Sequence, residues 1–146
     1  MRAMHGDILT DGFVRDLHRR MFGQVWRWAG RYRTTDKNLG HPWPQIPAHV
    51  RLLCEDTAYW IREQTYGWDE LAARFHHRLV AIHPFPNGNG RHARLMTDTL
   101  LKKNGLPMFT WGQATLRAGE ARARYLDALR AADDRQFGRL IAFARS

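Results

Sequence analysis

The sequence holds a single cysteine, Cys54, so no internal disulfide can form, and a reducing compartment suits the chain. Apolar residues never run long enough to cross a bilayer. The N-terminal stretch Met1-Arg2-Ala3-Met4-His5-Gly6 lacks the apolar centre of a secretion signal. Together these absences predict a cytoplasmic protein with no membrane partner. Acidic residues are scarce too: 14 Asp and Glu stand against 23 Lys and Arg, a formal charge of +9. A basic surplus raises the question of nucleic-acid binding. The basic residues are scattered, however, and neither a helix-turn-helix nor an aromatic RNA-binding signature is present. Nucleic acid is therefore not the expected partner, and a phosphate-bearing ligand or an acidic protein accounts for the charge. Among the histidines, His76, His77, His83 and His92 lack the paired spacing of a zinc site, which argues against a zinc enzyme. No repeat, low-complexity tract or long linker divides the 146 residues, so one domain over 1–146 is expected.

What is present is mostly helical periodicity. Thr10-Asp11 can cap a helix to about Phe22, in which Phe13, Leu17 and Met21 recur every four residues, and Gly23 ends it. Val25-Trp26-Arg27-Trp28 reads as one aromatic turn packed inward. Residues 31–47 change character: Tyr32, Thr34 and Thr35 favour extended chain, while Asn38, Gly40, Pro42 and Pro44 break helices. A β-hairpin or a long ordered loop is expected there. Pro47 opens a helix to about Thr65, which holds Cys54 as a buried, inert thiol. The next helix opens near Asp69 and carries Leu71, Phe75 and Leu79 at four-residue steps, with His76 as a satisfied core histidine. Further helices are expected from about Asn89 to Lys103, Leu116 to Ala132 and Arg135 to Ala144, with Asn104-Gly105 and Pro107 as stops. The sum is an all-α bundle with one small β-hairpin.

Between two of these helices lies His83-Pro84-Phe85-Pro86-Asn87-Gly88-Asn89-Gly90-Arg91-His92-Ala93-Arg94. It reads as a loop entering a helix N-terminus, where unpaired backbone N–H groups and the positive dipole end bind phosphate. Glycines let the backbone approach an anion closely. Arg91 and Arg94 are three apart, so in a helix they share a face and reach one polyphosphate. His83 stands at the rim as a general base. A Pro-Asn-Gly stretch between helices is by itself an ordinary turn. Two glycines around an asparagine, followed by two arginines at this spacing, exceed what a turn requires.

Residues 83–94 resemble the signature of the Fic/Doc family, His-x-Phe-x-[Asp/Glu]-Gly-Asn-[Gly/Lys]-Arg-x-x-Arg. His83, Phe85, Gly88, Asn89, Gly90, Arg91 and Arg94 fall in place. The resemblance extends upstream through Trp28-Ala29-Gly30-Arg31-Tyr32-Arg33 and downstream through Ala123-Arg124-Tyr125-Leu126-Asp127-Ala128-Leu129, and within the family it is similar to the mobile mystery protein B subgroup. One position departs: the family's acidic residue, which helps bind Mg²⁺ on the nucleotide phosphates, is Asn87 here.

The resemblance implies a Fic-fold helical bundle in which residues 31–47 form a β-hairpin flap. Such a flap holds the target by strand pairing, with Lys37 and Trp43 as target contacts. It implies a protein adenylyltransferase that moves AMP from ATP to a hydroxyl of a target protein, with Mg²⁺ or Mn²⁺ as cofactor. His83 is then the base; Gly88, Asn89, Gly90, Arg91 and Arg94 bind the phosphates, and Tyr125 lies near the adenine. Asn87 can offer the metal only a neutral oxygen. Another nucleotide or phosphate donor, or a weak nucleotide- or protein-binding module, is the alternative. Gly90 stands against the phosphate-transferring Doc branch, which generally has Lys there. The family's inhibitory motif [Ser/Thr]-x-x-x-Glu-[Gly/Asn] is missing from the sequence, so an antitoxin-like inhibitory partner is expected if the chain is restrained.

Overall fold

The computed structural model describes residues 7–113 and 116–146. Regular structure among them is entirely helical: α1 Asp11–Phe22, a single 3-10 turn Trp43–Gln45, α2 Ile46–Glu63, α3 Trp68–Ile82, α4 Asn89–Lys103, α5 Ala118–Asp133 and α6 Gly138–Arg145. Local chemistry explains most of the boundaries. The Thr10 hydroxyl accepts the Phe13 N–H at 3.0 Å and starts α1. Pro47 stands in the first turn of α2, where its missing N–H costs nothing. Asp69 and Glu70 load the positive end of α3. The last helix starts three residues later than its periodicity predicts, because Arg135 takes a left-handed conformation (φ +63°) and closes the preceding turn.

Packing then places α3 at the centre, in contact with α2, α4 and α6, while α1 lies across α4. One apolar cluster joins α1, α2, α3 and α4 through Phe13, Leu17, Leu53, Phe75, Phe85 and Met96. A second, behind α3, joins Leu101, Trp111, Tyr125, Leu140 and Phe143. Cys54 is buried in the first cluster, and burial pushes its thiol up to about 12, so it is inert at neutral pH. The stretch after α1 is a run of turns. Trp26 and Trp28 stack on each other at 4.5 Å and are half-buried, whereas Val25 is 71% exposed. Among the described residues, no helix is long and apolar enough to cross a membrane.

The expected β-hairpin is not there: no strand occurs among the described residues, and 31–42 form an irregular segment leading into the 3-10 turn. A strand needs a partner, and this segment's polar groups are taken elsewhere. Arg33 N–H donates to Pro84 O at 3.0 Å, and His41 N–H donates to Ile82 O at 3.3 Å. The Arg33 guanidinium gathers the carbonyls of Thr35 and His41. Pro42, Pro44 and Pro47 remove further donors. The β-propensity of Tyr32, Thr34 and Thr35 is overridden by these tertiary bonds.

Candidate active site

The loop that leaves α3 is fixed from inside. Phe85 is fully buried, and its backbone makes a reciprocal pair with the Asn89 amide: Phe85 N–H donates to Oδ1 at 2.9 Å, and Nδ2 donates to Phe85 O at 2.7 Å. Under Phe85 lies His18, stacked at 3.8 Å and 17°. His18 Nδ1 accepts the Gly30 N–H at 2.9 Å, so Nε2 carries the proton and donates to Asn87 O at 3.0 Å. Burial lowers the His18 pKa, which favours this neutral form. Asn87 and Gly30 are thereby tied to one ring.

His83 closes α3 in a left-handed conformation, φ +52°, which few non-glycine residues adopt. Its ring is half-buried, and neither ring nitrogen has a hydrogen-bond partner among the described residues. Burial lowers its pKa, and the positive charges of Arg33 and then Lys37 lower it further. The imidazole therefore stays neutral, able to accept a proton, to a lower pH than a free histidine.

Gly88 caps α4 at φ +79° and contributes no side-chain cap. A Cβ there would stand 2.6 Å from the Phe22 ring. The first helical bond is His92 N–H to Gly88 O at 2.9 Å, which leaves the N–H groups of Asn89, Gly90 and Arg91 outside the helical ladder. A Cβ at Gly90 would meet nothing within 4 Å, so the space beside this turn is open. Arg91 lies over the Phe22 ring at 4.8 Å, and Arg94 over the Tyr125 ring at 5.3 Å. Neither arginine has a carboxylate partner within salt-bridge distance among the described residues. Both line a cavity of about 370 Å³ with Leu95, Asp98, Trp111 and Gln113. Burial raises the Asp98 pKa, and the carboxylate accepts the Trp111 indole N–H at 3.0 Å.

The sequence-derived residues thus fall into groups. Gly88, Gly90, Arg91 and Arg94 present donors at one end of α4. Asn89 belongs to the same turn, and its side-chain amide bonds the Phe85 N–H and carbonyl, so it braces the loop. Tyr125 supports Arg94; it is 8% exposed, and its hydroxyl pairs with His76 at 2.7 Å. Burial holds the His76 pKa at about 3, so that ring is neutral as expected of a core histidine. Lys37 is exposed, and so is Trp43 at 40%. Asn87 is exposed while its carbonyl is held by His18. No group of three or more His, Cys, Asp or Glu that could hold a metal occurs among the described residues. The Asn87 amide oxygen is a single neutral donor, so these residues fit an ion carried in on phosphates and not one bound by the protein alone.

Sequence reasoning passed over His18 and Arg33. His18 sits on the buried face of α1, one residue after Leu17, where a histidine among aliphatics was the available signal. Arg33 is 2% exposed although it lies in a loop, and nothing in its local pattern announces that burial.

Residues 8–101 match the Fic/DOC family. The protein adenylyltransferase fic-1 of Caenorhabditis elegans is 34% identical over 145 residues, covering 94% of this chain and 27% of the relative. The protein adenylyltransferase Fic of Culex quinquefasciatus is 33% identical over 143 residues, covering 93% and 27%. The chain thus spans 27% of the length of these two curated relatives. Among solved structures, a Fic domain containing signaling protein from Bacteroides thetaiotaomicron superposes with a TM-score of 0.72 at 28% identity, over 86% of this chain and 48% of that one. Fic-1 from C. elegans superposes with 0.73 at 26% identity, over 99% and 44%.

Proposed function

The chain belongs to the Fic/DOC family, and from that premise we propose that it is a protein adenylyltransferase, moving AMP from ATP to a hydroxyl side chain of a target protein. The observation that carries this reading is the pairing of an unpartnered imidazole with a donor-rich helix start. Among the described residues His83 leaves α3 with both ring nitrogens unpartnered, and α4, which opens at Asn89, starts with bare N–H groups and two arginines that lack carboxylates.

In the proposed reaction the target hydroxyl oxygen attacks the α-phosphorus of ATP. A new O–P bond forms, and the bond from that phosphorus to the bridging β-oxygen breaks. His83 takes the hydroxyl proton as the bond forms. Pyrophosphate leaves, and its growing charge meets the N–H groups of Asn89 to Arg91 and the Arg91 guanidinium. Arg94, steadied over Tyr125, holds the terminal phosphate. A divalent cation supplied with the nucleotide would neutralise phosphate charge, and Asn87 Oδ1 is the atom that would touch it. The target lies along 31–43, with Lys37 and Trp43 as contacts. An inhibitory partner acts by placing a carboxylate on Arg94, where it competes with the terminal phosphate.

The test is transfer of label in a cell lysate with Mg²⁺ or Mn²⁺, comparing wild type with His83→Ala. His83-dependent incorporation from α-labelled ATP is the expected result. Incorporation from γ-labelled ATP alone would replace the reading with phosphate transfer. Absence of any label, with ATP still raising the melting temperature, would reduce the protein to a binding module.

A further inference from the structure

We propose that Arg33 is a positioning residue: its buried guanidinium holds His83 in its left-handed conformation and locks the target-facing segment beside it. This rests on the adenylyltransferase reading for its consequence, but its geometry stands alone. Arg33 comes from the loop after α1, and almost none of it meets solvent. Nε donates to His83 O at 2.7 Å, and one terminal nitrogen reaches Ile82 O at 3.3 Å. That same nitrogen donates to His41 O, and the other donates to Thr35 O at 2.9 Å. One fork therefore bridges two pieces of chain, the end of α3 and both sides of the 35–41 loop.

The arrangement solves a specific problem. A histidine at φ +52° is strained and persists only where its surroundings over-determine it. The C-terminal carbonyls of α3 lack helical partners, and Arg33 donates to the last of them, Ile82 O, and to the carbonyl of the cap residue His83, while lying against the loop that holds Lys37. Its positive charge sits close enough to bear on the His83 ring, together with that of Lys37. The carboxylate near the fork is Asp36, 3.8 Å from Arg33 and 66% exposed, too wet to neutralise it. Gly40 marks how tightly the junction closes: a Cβ there would lie 2.7 Å from the Arg33 terminal nitrogen and 2.8 Å from the His83 Cβ. Lysine cannot replace this fork, because a single ammonium cannot span carbonyls on two chain segments.

The test compares Arg33→Lys and Gly40→Ala with wild type in three readouts: ATP affinity, single-turnover transfer of α-label at saturating ATP, and the His83 ring titration followed by NMR without substrate. Transfer should fall at least tenfold in Arg33→Lys and at least threefold in Gly40→Ala. ATP affinity should stay within twofold, since the phosphate donors on α4 do not touch Arg33. Burial is the first cause of the lowered His83 pKa, so opening this junction to water should raise the His83 midpoint toward that of a free imidazole in both, although lysine keeps the charge. Full transfer in a folded Arg33→Lys would overturn the proposal, as would an unmoved His83 midpoint or a rate loss that only tracks ATP affinity. If Arg33→Lys does not fold, Gly40→Ala decides by the same criteria. If wild type transfers no label, the adenylyltransferase reading fails on its own, and the titration still judges Arg33.

Discussion

Adding one methyl group at Gly88 or at Gly90 should have opposite consequences for stability, although both glycines belong to the same turn. At Gly88 the backbone sits at φ +79°, which costs an alanine about 1–2 kcal/mol. The new Cβ would also lie 2.6 and 2.8 Å from two atoms of the Phe22 ring. Phe22 is 6% exposed and cannot swing into solvent without opening the core, so overpacking adds about 1–3 kcal/mol. The sum, roughly 2–5 kcal/mol, is a large share of the stability of a small protein. Displacing Phe22 also moves Arg91, which lies on that ring at 4.8 Å, so ATP affinity should fall about tenfold. At Gly90 a Cβ meets nothing within 4 Å, and alanine gains up to about 1 kcal/mol of helix propensity. The added methyl nevertheless stands in the open space beside the bare N–H groups and should weaken ATP binding without loss of fold. Urea unfolding reports the stability and ATP-induced melting shifts report the binding. A Gly88→Ala cost under about 1 kcal/mol with ATP binding intact, or a Gly90→Ala variant as destabilised as Gly88→Ala, would rule out this packing of the turn.

Asn87→Asp should tighten Mg²⁺-dependent ATP binding several-fold, about 1 kcal/mol, because a hard cation gains a charged oxygen ligand; titration calorimetry with and without Mg²⁺ checks it, and equal affinities would contradict the proposed contact. Lys37→Ala removes one of the two cations that lower the His83 pKa. The acid limb of the pH–rate profile should then move to higher pH, and an unmoved limb would show that another group governs it. His76 and His92 are buried with pKa values held at about 3 by desolvation, so the unfolded chain binds more protons than the folded one between about 3 and 6.5. The stability they contribute is full above about pH 6.5 and is lost as pH falls, roughly 1 kcal/mol per unit and per histidine. Urea midpoints that stay flat from pH 7 to pH 4 would contradict that burial.

Much of this was legible from local pattern, and the failures share one cause. The periodicity of Leu71, Phe75 and Leu79 located α3, and the glycines and arginines of 83–94 located the start of α4, because those signals are written within one or two turns of chain. The hairpin was misread because Tyr32, Thr34 and Thr35 carry a real extended preference, while what decides their conformation is a side chain bonding to carbonyls about 50 residues away. Asn89 was placed by the family resemblance; that its amide also closes a ring with the Phe85 backbone is visible only in the structure. His18 and Arg33 act through buried contacts of high sequence separation, Asn87 for one and His83 for the other. Arg33 would pass in the sequence as an ordinary loop residue, whereas His18 left only the faint signal of a histidine on an apolar helix face.

In the proposed reaction His83 and the start of α4 together move AMP onto a hydroxyl. Mass spectrometry of labelled target peptides, prepared with wild type and with His83→Ala, tests it most directly. A phosphodiester-linked adenosine monophosphate on a Ser, Thr or Tyr side chain, present with wild type and absent with the variant, is the predicted result. An added phosphate without adenosine, or an AMP adduct that survives the loss of His83, would contradict it.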